Sequence, residues 1–479
     1  MTQHFDLLVP DAKKSSDTLS VLSPYDRQII ATVATADEKT VDLALNNAHA
    51  LFNDRSRWLK TELRLAILQK TAKLMAECSE SLALEAAREG GKPLIDSRIE
   101  VARAIDGLHV CIETLKTDSG SEIPMNLNAA SANKLAFTRR EPIGVVVAVS
   151  AFNHPLNLII HQVVPAIAAG CPVIVKPAED TPISCFRFVQ LLFEAGLPKG
   201  WCQCLLTKDT SIATHLVTSP LVSFFSFIGS AKVGWMLRSK LAPGTRCALE
   251  HGGAAPVIVT EDADLEAALP KLTKGGFYHA GQVCVSVQRI FVHESIAETL
   301  ANRLATAADQ LCTGDPTLEA TEVGPLIRPG EVDRVEAWVN EAFSLGAQVM
   351  AGGKRISKTT YQPTVLYNPI DQCHVSQQEI FGPIVCVYPY HDMDDAIKRA
   401  NALPYSFQAS VFTKNIDLAM KAYNQLNASA VMVNEHTAFR VDWMPFAGLR
   451  QSGLGIGGIP HTLRDMQIEK MMVIHSDEI

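Results

Sequence analysis

Apolar residues recur every three to four positions through residues 41–52 and again through 58–78, where Leu63, Leu65, Ile67, Leu68, Ala72 and Met75 carry the repeat. That spacing predicts amphipathic helices, so roughly the first hundred residues read as mainly helical. Beyond the polar stretch 119–133 the pattern changes. Short apolar runs at 144–149, 172–175, 201–206, 222–227 and 245–249 alternate with helical stretches near 158–169, 183–194, 211–217 and 231–240. Such alternation predicts a doubly wound α/β sheet. A second series follows, with strands expected at 256–259, 289–292, 347–350, 384–388 and 409–412. No repeat of fixed period and no Gly/Ser linker separates the two series, so the domains should dock closely and leave a cleft where ligands commonly bind.

The longest apolar region, 145–175, is interrupted by Asn153, His154, Pro155, His161, Gln162, Pro165 and Pro172. A bilayer would leave those groups unpaired, so the region reads as buried core. Composition agrees: 47% of the 479 residues are hydrophobic and 20% charged, ordinary values for a globular protein of several domains. The net charge of −8, without a basic tail or stripe, argues against a nucleic-acid partner. The N-terminus has no basic n-region, and the eleven cysteines are odd in number, which together point to a reducing, cytoplasmic setting. Cys202-Gln203-Cys204 has one residue between its thiols, not the two of zinc sites, and suits a half-buried strand; no metal is expected.

Chemistry enters with two glycine-bearing turns. Glu250 stands in Leu249-Glu250-His251-Gly252-Gly253 and Cys284 in Gly281-Gln282-Val283-Cys284, a carboxylate base and a thiol nucleophile near a domain junction. Gly229 and Ser230 fall where a strand feeds a helix, whose free N–H groups suit a pyrophosphate. The string Gly453-Leu454-Gly455-Ile456-Gly457-Gly458 follows no strand of either series and reads as a flexible C-terminal loop, not a dinucleotide fingerprint. Taken singly, these signals are ordinary. A lone cysteine is usually core, a lone glutamate usually surface, and Asn153 before Pro155 suits a turn.

Their combination resembles the aldehyde dehydrogenase superfamily over about residues 41–472. The resemblance is carried by Glu141-Pro142-Ile143-Gly144-Val145, Phe152-Asn153-His154-Pro155, Val175-Lys176-Pro177-Ala178-Glu179, Phe227-Ile228-Gly229-Ser230-Ala231-Lys232-Val233-Gly234, the Glu250 and Cys284 turns, Glu379-Ile380-Phe381-Gly382-Pro383 and Met444-Pro445-Phe446-Ala447-Gly448. It implies two doubly wound domains, a Rossmann-like cofactor domain (1–119 and 139–250) and an α/β catalytic domain (251–458), with a small β extension for oligomerisation (120–138 and 459–479). It also implies a homodimer or homotetramer.

By the same resemblance, Cys284 attacks the aldehyde, Asn153 and the Cys284 N–H hold the oxyanion, and Glu250 activates the water that hydrolyses the thioester. Lys176, counted with the catalytic set as well, and Glu179 hold the adenosine ribose; Glu379 holds the nicotinamide ribose, with Phe381 beside the ring. A carboxylate at Glu179 would repel a 2′-phosphate, so NAD is expected over NADP. Ile228 where Thr is usual, Ala447 where Gly is usual, and Ala254-Ala255 where a Lys-Asn pair is usual depart from the family pattern without removing a catalytic group.

For the substrate, members acting on apolar aldehydes are largely aromatic around the nucleophile, whereas here His154 and His161 follow Asn153, Arg440 precedes the Met444-Pro445-Phe446 motif at the same entrance, with Phe446 counted among the substrate residues, and Arg103 lies on a helix the family places nearby. Guanidinium groups match carboxylates, phosphates and phosphonates. A short anionic aldehyde is expected, and the motif detail looks most like phosphonoacetaldehyde dehydrogenases. Val283, where some phosphate-binding relatives carry Arg, weakens that site. Alternatively the arginines pair with Glu100 or Asp442, the histidines are core, and the enzyme is a general aliphatic or semialdehyde dehydrogenase. A CoA-acylating enzyme is disfavoured by Glu250, and a catalytically silent binding or structural member by the intact Cys284, Asn153 and Glu250.

Overall fold

A computed structural model describes residues 3–479. The first series of apolar runs forms a six-stranded sheet in the order Gly453–Leu454, Arg246–Glu250, Phe224–Ile228, Val146–Val149, Val173–Lys176 and Cys202–Cys204. All neighbours are parallel except the first pair, in which Leu249 and Glu250 face Leu454 and Gly453 in antiparallel register. The glycine-rich string therefore begins as an edge strand against the Glu250 strand rather than as a free loop. Two residues are too few to show a period of two, which is why the pattern hid it.

Helices cover both faces of this sheet, and the most central, Asn157–Ala169, is buried at every position. A helix wrapped on all sides has no solvent-facing polar stripe, which accounts for the mostly apolar character of that stretch; its polar residues Asn157, His161 and Gln162 are buried and hydrogen-bonded. It packs against Leu94–Thr117 and against Ile459–Asp465, which the chain adds after completing the second sheet. The early region is less purely helical than its periodicity predicts. Gln3–Phe5, Ile29–Ala34 and Thr18–Leu22 form a three-stranded sheet before the first helix, Glu38–Asn53.

The second sheet has seven strands in the order Gln348–Ala351, Thr364–Tyr367, Ile384–Tyr390, Arg289–His293, Pro256–Val259, Gln408–Phe412 and Ala430–Val433. Only the Gln348–Ala351 edge is antiparallel. Thr364–Tyr367 and Ala430–Val433 went unpredicted. Its central strands, Pro256–Val259 and Arg289–His293, are nearly all buried, as a parallel sheet covered on both faces requires.

Gln467–His475 pairs along its whole length with Lys134–Pro142, which also takes Glu122–Ile123. Beyond Gln467 every residue of that strand is exposed, including Ile468, Met471, Met472, Val473 and Ile474. No described helix is long and apolar enough to cross a membrane.

Candidate active site

The two sheets offer opposite ends of their strands to one cleft. In the first, Lys176, Ile228 and Glu250 close the carboxyl ends of strands in register with Val149, so Asn153, Lys176, Ser230 and Glu250 emerge on one edge. That is the edge where open α/β sheets bind ligands. In the second, Cys284 and Glu379 stand just before the amino ends of Arg289–His293 and Ile384–Tyr390.

Cys284 is held by an unusual turn. His279 and Ala280 adopt left-handed φ values of 48° and 53°, and Gly281 one of 70°. A Cβ at Gly281 would lie 2.0 Å from the Gly382 carbonyl oxygen, so only glycine lets the nucleophile turn meet the Glu379–Pro383 segment. Gln282 fixes the turn from inside: its Nε2 donates to Pro325 O at 3.2 Å, and its Oε1 accepts from Ile327 N at 3.0 Å. Asn153, also buried, donates through Nδ2 to Gln282 O at 2.9 Å, leaving its second N–H uncommitted beside the nucleophile turn.

Burial pushes the Cys284 thiol up to about 12; the Arg440 guanidinium opposes that rise, while Glu250 and Glu379 add to it. Burial likewise raises Glu250, again opposed by Arg440. Thiol, carboxylate and guanidinium thus act on one another electrostatically. Glu250 is wedged against the C-terminal loop, where a Cβ at Gly457 would lie 2.2 Å from its Oε1. Its strand is tied to the next by Gly229 N donating to Glu250 O at 3.0 Å.

Arg103, His161 and Arg440 come together around Asp442, and the two arginines differ. Arg103 makes a bidentate pair with Asp442, Nη2 to Oδ1 at 2.7 Å and Nε to Oδ2 at 3.1 Å, so for this residue the ion-pair alternative is the one realised. His161 donates from Nε2 to the same carboxylate at 2.7 Å, which leaves its Nδ1 to accept from Arg440 Nη2 at 3.4 Å. Burial holds His161 down to about 4, so it is neutral at physiological pH. Arg440 has no carboxylate partner among the described residues; it lies 3.6 Å over the Phe446 ring with a buried, unpaired Nε. His154 donates through Nδ1 to Asn153 O at 2.7 Å, and burial keeps it neutral too.

Several neighbours were not legible beforehand. Tyr278 packs edge-on to His154 at 6.0 Å; its place six residues before Cys284 was the available signal. His251 donates through Nδ1 to Gly229 O at 2.8 Å, joining the Glu250 turn to the start of the helix Ala231–Arg238. Lys92 and Glu100 form a fully buried ion pair. Glu100 Oε1 accepts from Leu156 N and Asn157 N at 2.9 Å each, anchoring the segment that carries Asn153.

For a dinucleotide, the residues fit. Ser230 caps Ala231–Arg238 without a side-chain capping bond, so its hydroxyl and the first helical N–H groups remain free. Glu379, pushed up to about 8 by burial, accepts a hydrogen bond from Gly253 N at 3.2 Å and keeps acceptor capacity for a sugar hydroxyl. A Cβ at Gly252 would lie 1.6 Å from Glu379 Oε1, so this cradle exists only because residue 252 lacks a side chain. Lys176 Nζ lies 3.4 Å from Glu179 Oε1. Phe381, at φ 47°, meets Phe152 edge-on at 5.8 Å. No group of three or more metal-ligating side chains occurs among the described residues.

Comparison with known proteins places these features in context. The model of a family described as the aldehyde dehydrogenase family matches residues 12–472. The 3-sulfolactaldehyde dehydrogenase of Priestia megaterium is 39% identical over 462 residues, covering 96% of this chain and 96% of its own. Aldehyde dehydrogenase 21 from Physcomitrella patens, solved with the reaction product succinate, is 32% identical with a TM-score of 0.95 and covers 99% of each chain. Glyceraldehyde-3-phosphate dehydrogenase from Methanocaldococcus jannaschii, solved with NADP, is 33% identical with a TM-score of 0.91, covering 96% of this chain and 99% of its own.

Proposed function

The chain belongs to the aldehyde dehydrogenase family and is an NAD(P)-dependent enzyme that oxidises an aldehyde to an acid; we propose that its substrate is a short aldehyde with an anionic end. The carrying observation is Arg440, a half-buried guanidinium with a buried, unpaired Nε and no carboxylate partner among the described residues, which acts electrostatically on Cys284 and Glu250. The three relatives support this reading, since their names carry a sulfonate, a dicarboxylate product and a phosphate ester. Phosphonoacetaldehyde belongs to the same class.

Cys284, once deprotonated, adds to the aldehyde carbon to give a thiohemiacetal. Its proton passes to Glu250, whose raised pKa makes it a stronger base than an ordinary carboxylate. The free Asn153 N–H and the Cys284 backbone N–H stabilise the oxyanion. When bound, the nicotinamide cofactor accepts the hydride. After the thiol proton has passed from Glu250 to solvent, the carboxylate removes a proton from the water that attacks the Cys284 thioester, the C–S bond breaks, and the acid and the Cys284 thiolate are released. Lys176 and Glu179 hold the adenosine ribose and Glu379 the nicotinamide ribose, with NAD preferred because a 2′-phosphate would meet the Glu179 carboxylate.

The test is reduced-cofactor formation with anionic aldehydes and propanal, for wild type and Arg440→Ala. Anionic substrates should lead by a factor of about 10 or more, ~1.4 kcal/mol, and Arg440→Ala should erase the lead. A lead for propanal would make Arg440 structural and the enzyme a general aliphatic one. The exposed apolar residues of Gln467–His475 support a homodimer or homotetramer, with a second copy covering them. A monomer in light scattering would remove that reading.

A further inference from the structure

Resting on the anionic-substrate reading, we infer that Asp442 sets the charge the pocket accepts, selecting a monoanionic head group, sulfonate or carboxylate, over a dianionic phosphonate or phosphate. Two guanidinium groups, Arg103 and Arg440, act on His154 and His161, and Arg440 acts on Cys284 as well. Asp442, 2% exposed, sits behind them and is fully committed. Its Oδ1 takes Arg103 Nη2 at 2.7 Å, His161 Nε2 at 2.7 Å and Asn157 Nδ2 at 3.3 Å, and its Oδ2 takes Arg103 Nε at 3.1 Å. One of the two positive charges is thereby cancelled inside the protein.

The surrounding groups do not restore it. Lys92 is paired with Glu100, and Lys274 with Asp96 at 2.5 Å. His154, His161 and His279 are held neutral by burial, and Val283 before the nucleophile adds no charge. Glu250, when ionised, lowers the sum further. With Glu250 protonated, what remains is a single unmatched cation, Arg440, which touches Asp442 only through the neutral ring of His161. A monoanion closes that balance. A dianion would be buried with one charge unmatched, which in a water-poor site is costly.

Sulfonate and phosphonate groups have the same tetrahedral shape, so sulfoacetaldehyde and phosphonoacetaldehyde separate charge from size. With wild type at a pH above the second ionisation of the phosphonate, kcat/KM for sulfoacetaldehyde should exceed that for phosphonoacetaldehyde about tenfold or more, mostly through KM. Below that ionisation the phosphonate is itself a monoanion, and the ratio, which cancels the enzyme's own pH profile, should fall toward unity. Asp442→Asn keeps the acceptor for Arg103 and His161 but removes the charge, and should shift the ratio toward the phosphonate by a similar factor. Equal or better use of the phosphonate dianion by wild type would overturn the inference while leaving the anionic-substrate reading intact. A lead for propanal over both would overturn the two together. Should Asp442→Asn fail to fold, the wild-type pH series decides alone: a ratio that stays constant across the ionisation overturns the inference.

Discussion

Two clusters of buried and half-buried ionisable groups lie near the Asn153 segment, and they are built on opposite principles. On one side every ion has a partner: Lys92 with Glu100, Lys274 with Asp96, Arg103 with Asp442. These groups also hold backbone, as Glu100 does for Leu156 and Asn157. On the other side Cys284, Glu250, Glu379 and Arg440 form no ion pair among the described residues, and burial displaces each of them from its ordinary pKa. The paired side fixes positions. The unpaired side keeps its groups poorly satisfied, so substrate, cofactor and developing charge supply what the protein withholds.

The largest effect that would break this contrast is at the nucleophile. Cys284→Ala should lower reduced-cofactor formation by at least about 10⁴-fold while leaving the melting temperature nearly unchanged, because it removes chemistry and no structural partner. Turnover near the wild-type level would place the reaction elsewhere. The paired side should behave in the reverse sense. Lys92→Met leaves Glu100 buried without its cation and should cost about 3–5 kcal/mol in chemical denaturation, whereas Lys92→Met with Glu100→Gln should recover most of that loss. If Lys92→Met were neutral for stability, the positioning role of the pair would fall.

How much of this was readable beforehand follows the context of each signal. The parallel strands of the first sheet and the mostly apolar helix Asn157–Ala169 announce themselves because apolar runs and helical stretches alternate there. Gly453–Leu454 is too short for a period to emerge, and Thr364–Tyr367 and Ala430–Val433 were missed although Val173–Lys176, also four residues long, was found. In the site, Cys284 and Glu250 were legible through the combination of motifs that carries the family resemblance; the glycines beside them answer contacts with Glu379 and Gly382, about a hundred residues away. Asp442, by contrast, meets Arg103 from 339 residues away, and Glu100 meets Asn157 across 57, contacts that no local pattern encodes. Arg103 and Arg440 therefore looked alike in the sequence, although one is neutralised in the fold and the other is not.

A smaller effect tests the link between the two sides. Asn153→Ala should reduce kcat by about 10²- to 10³-fold, equivalent to ~2.7–4 kcal/mol, because it removes one oxyanion donor. Glu100→Gln, which preserves the acceptor for both backbone N–H groups, should retain more activity than Glu100→Ala, which does not. If the two Glu100 variants were equal in kcat, the anchoring of Asn153 through Leu156 and Asn157 would carry no catalytic weight.

The finest test concerns the free thiol. With burial raising Cys284 to about 12 from an ordinary 9.0, its site-specific alkylation by iodoacetamide, followed by mass spectrometry, should keep rising past pH 9 without a plateau. The exposed Cys312 supplies an internal reference in the same sample. Arg440 favours the thiolate, so replacing it with Met moves the Cys284 pKa higher and lowers the thiolate fraction at any fixed pH; alkylation should slow severalfold. Adding the oxidised cofactor, whose nicotinamide ring is cationic, should act in the opposite direction and speed it. A plateau near the ordinary thiol range in wild type, or an Arg440→Met rate equal to wild type, would mean that the nucleophile is as well satisfied as the paired cluster beside it, and the contrast between the two sides would no longer hold.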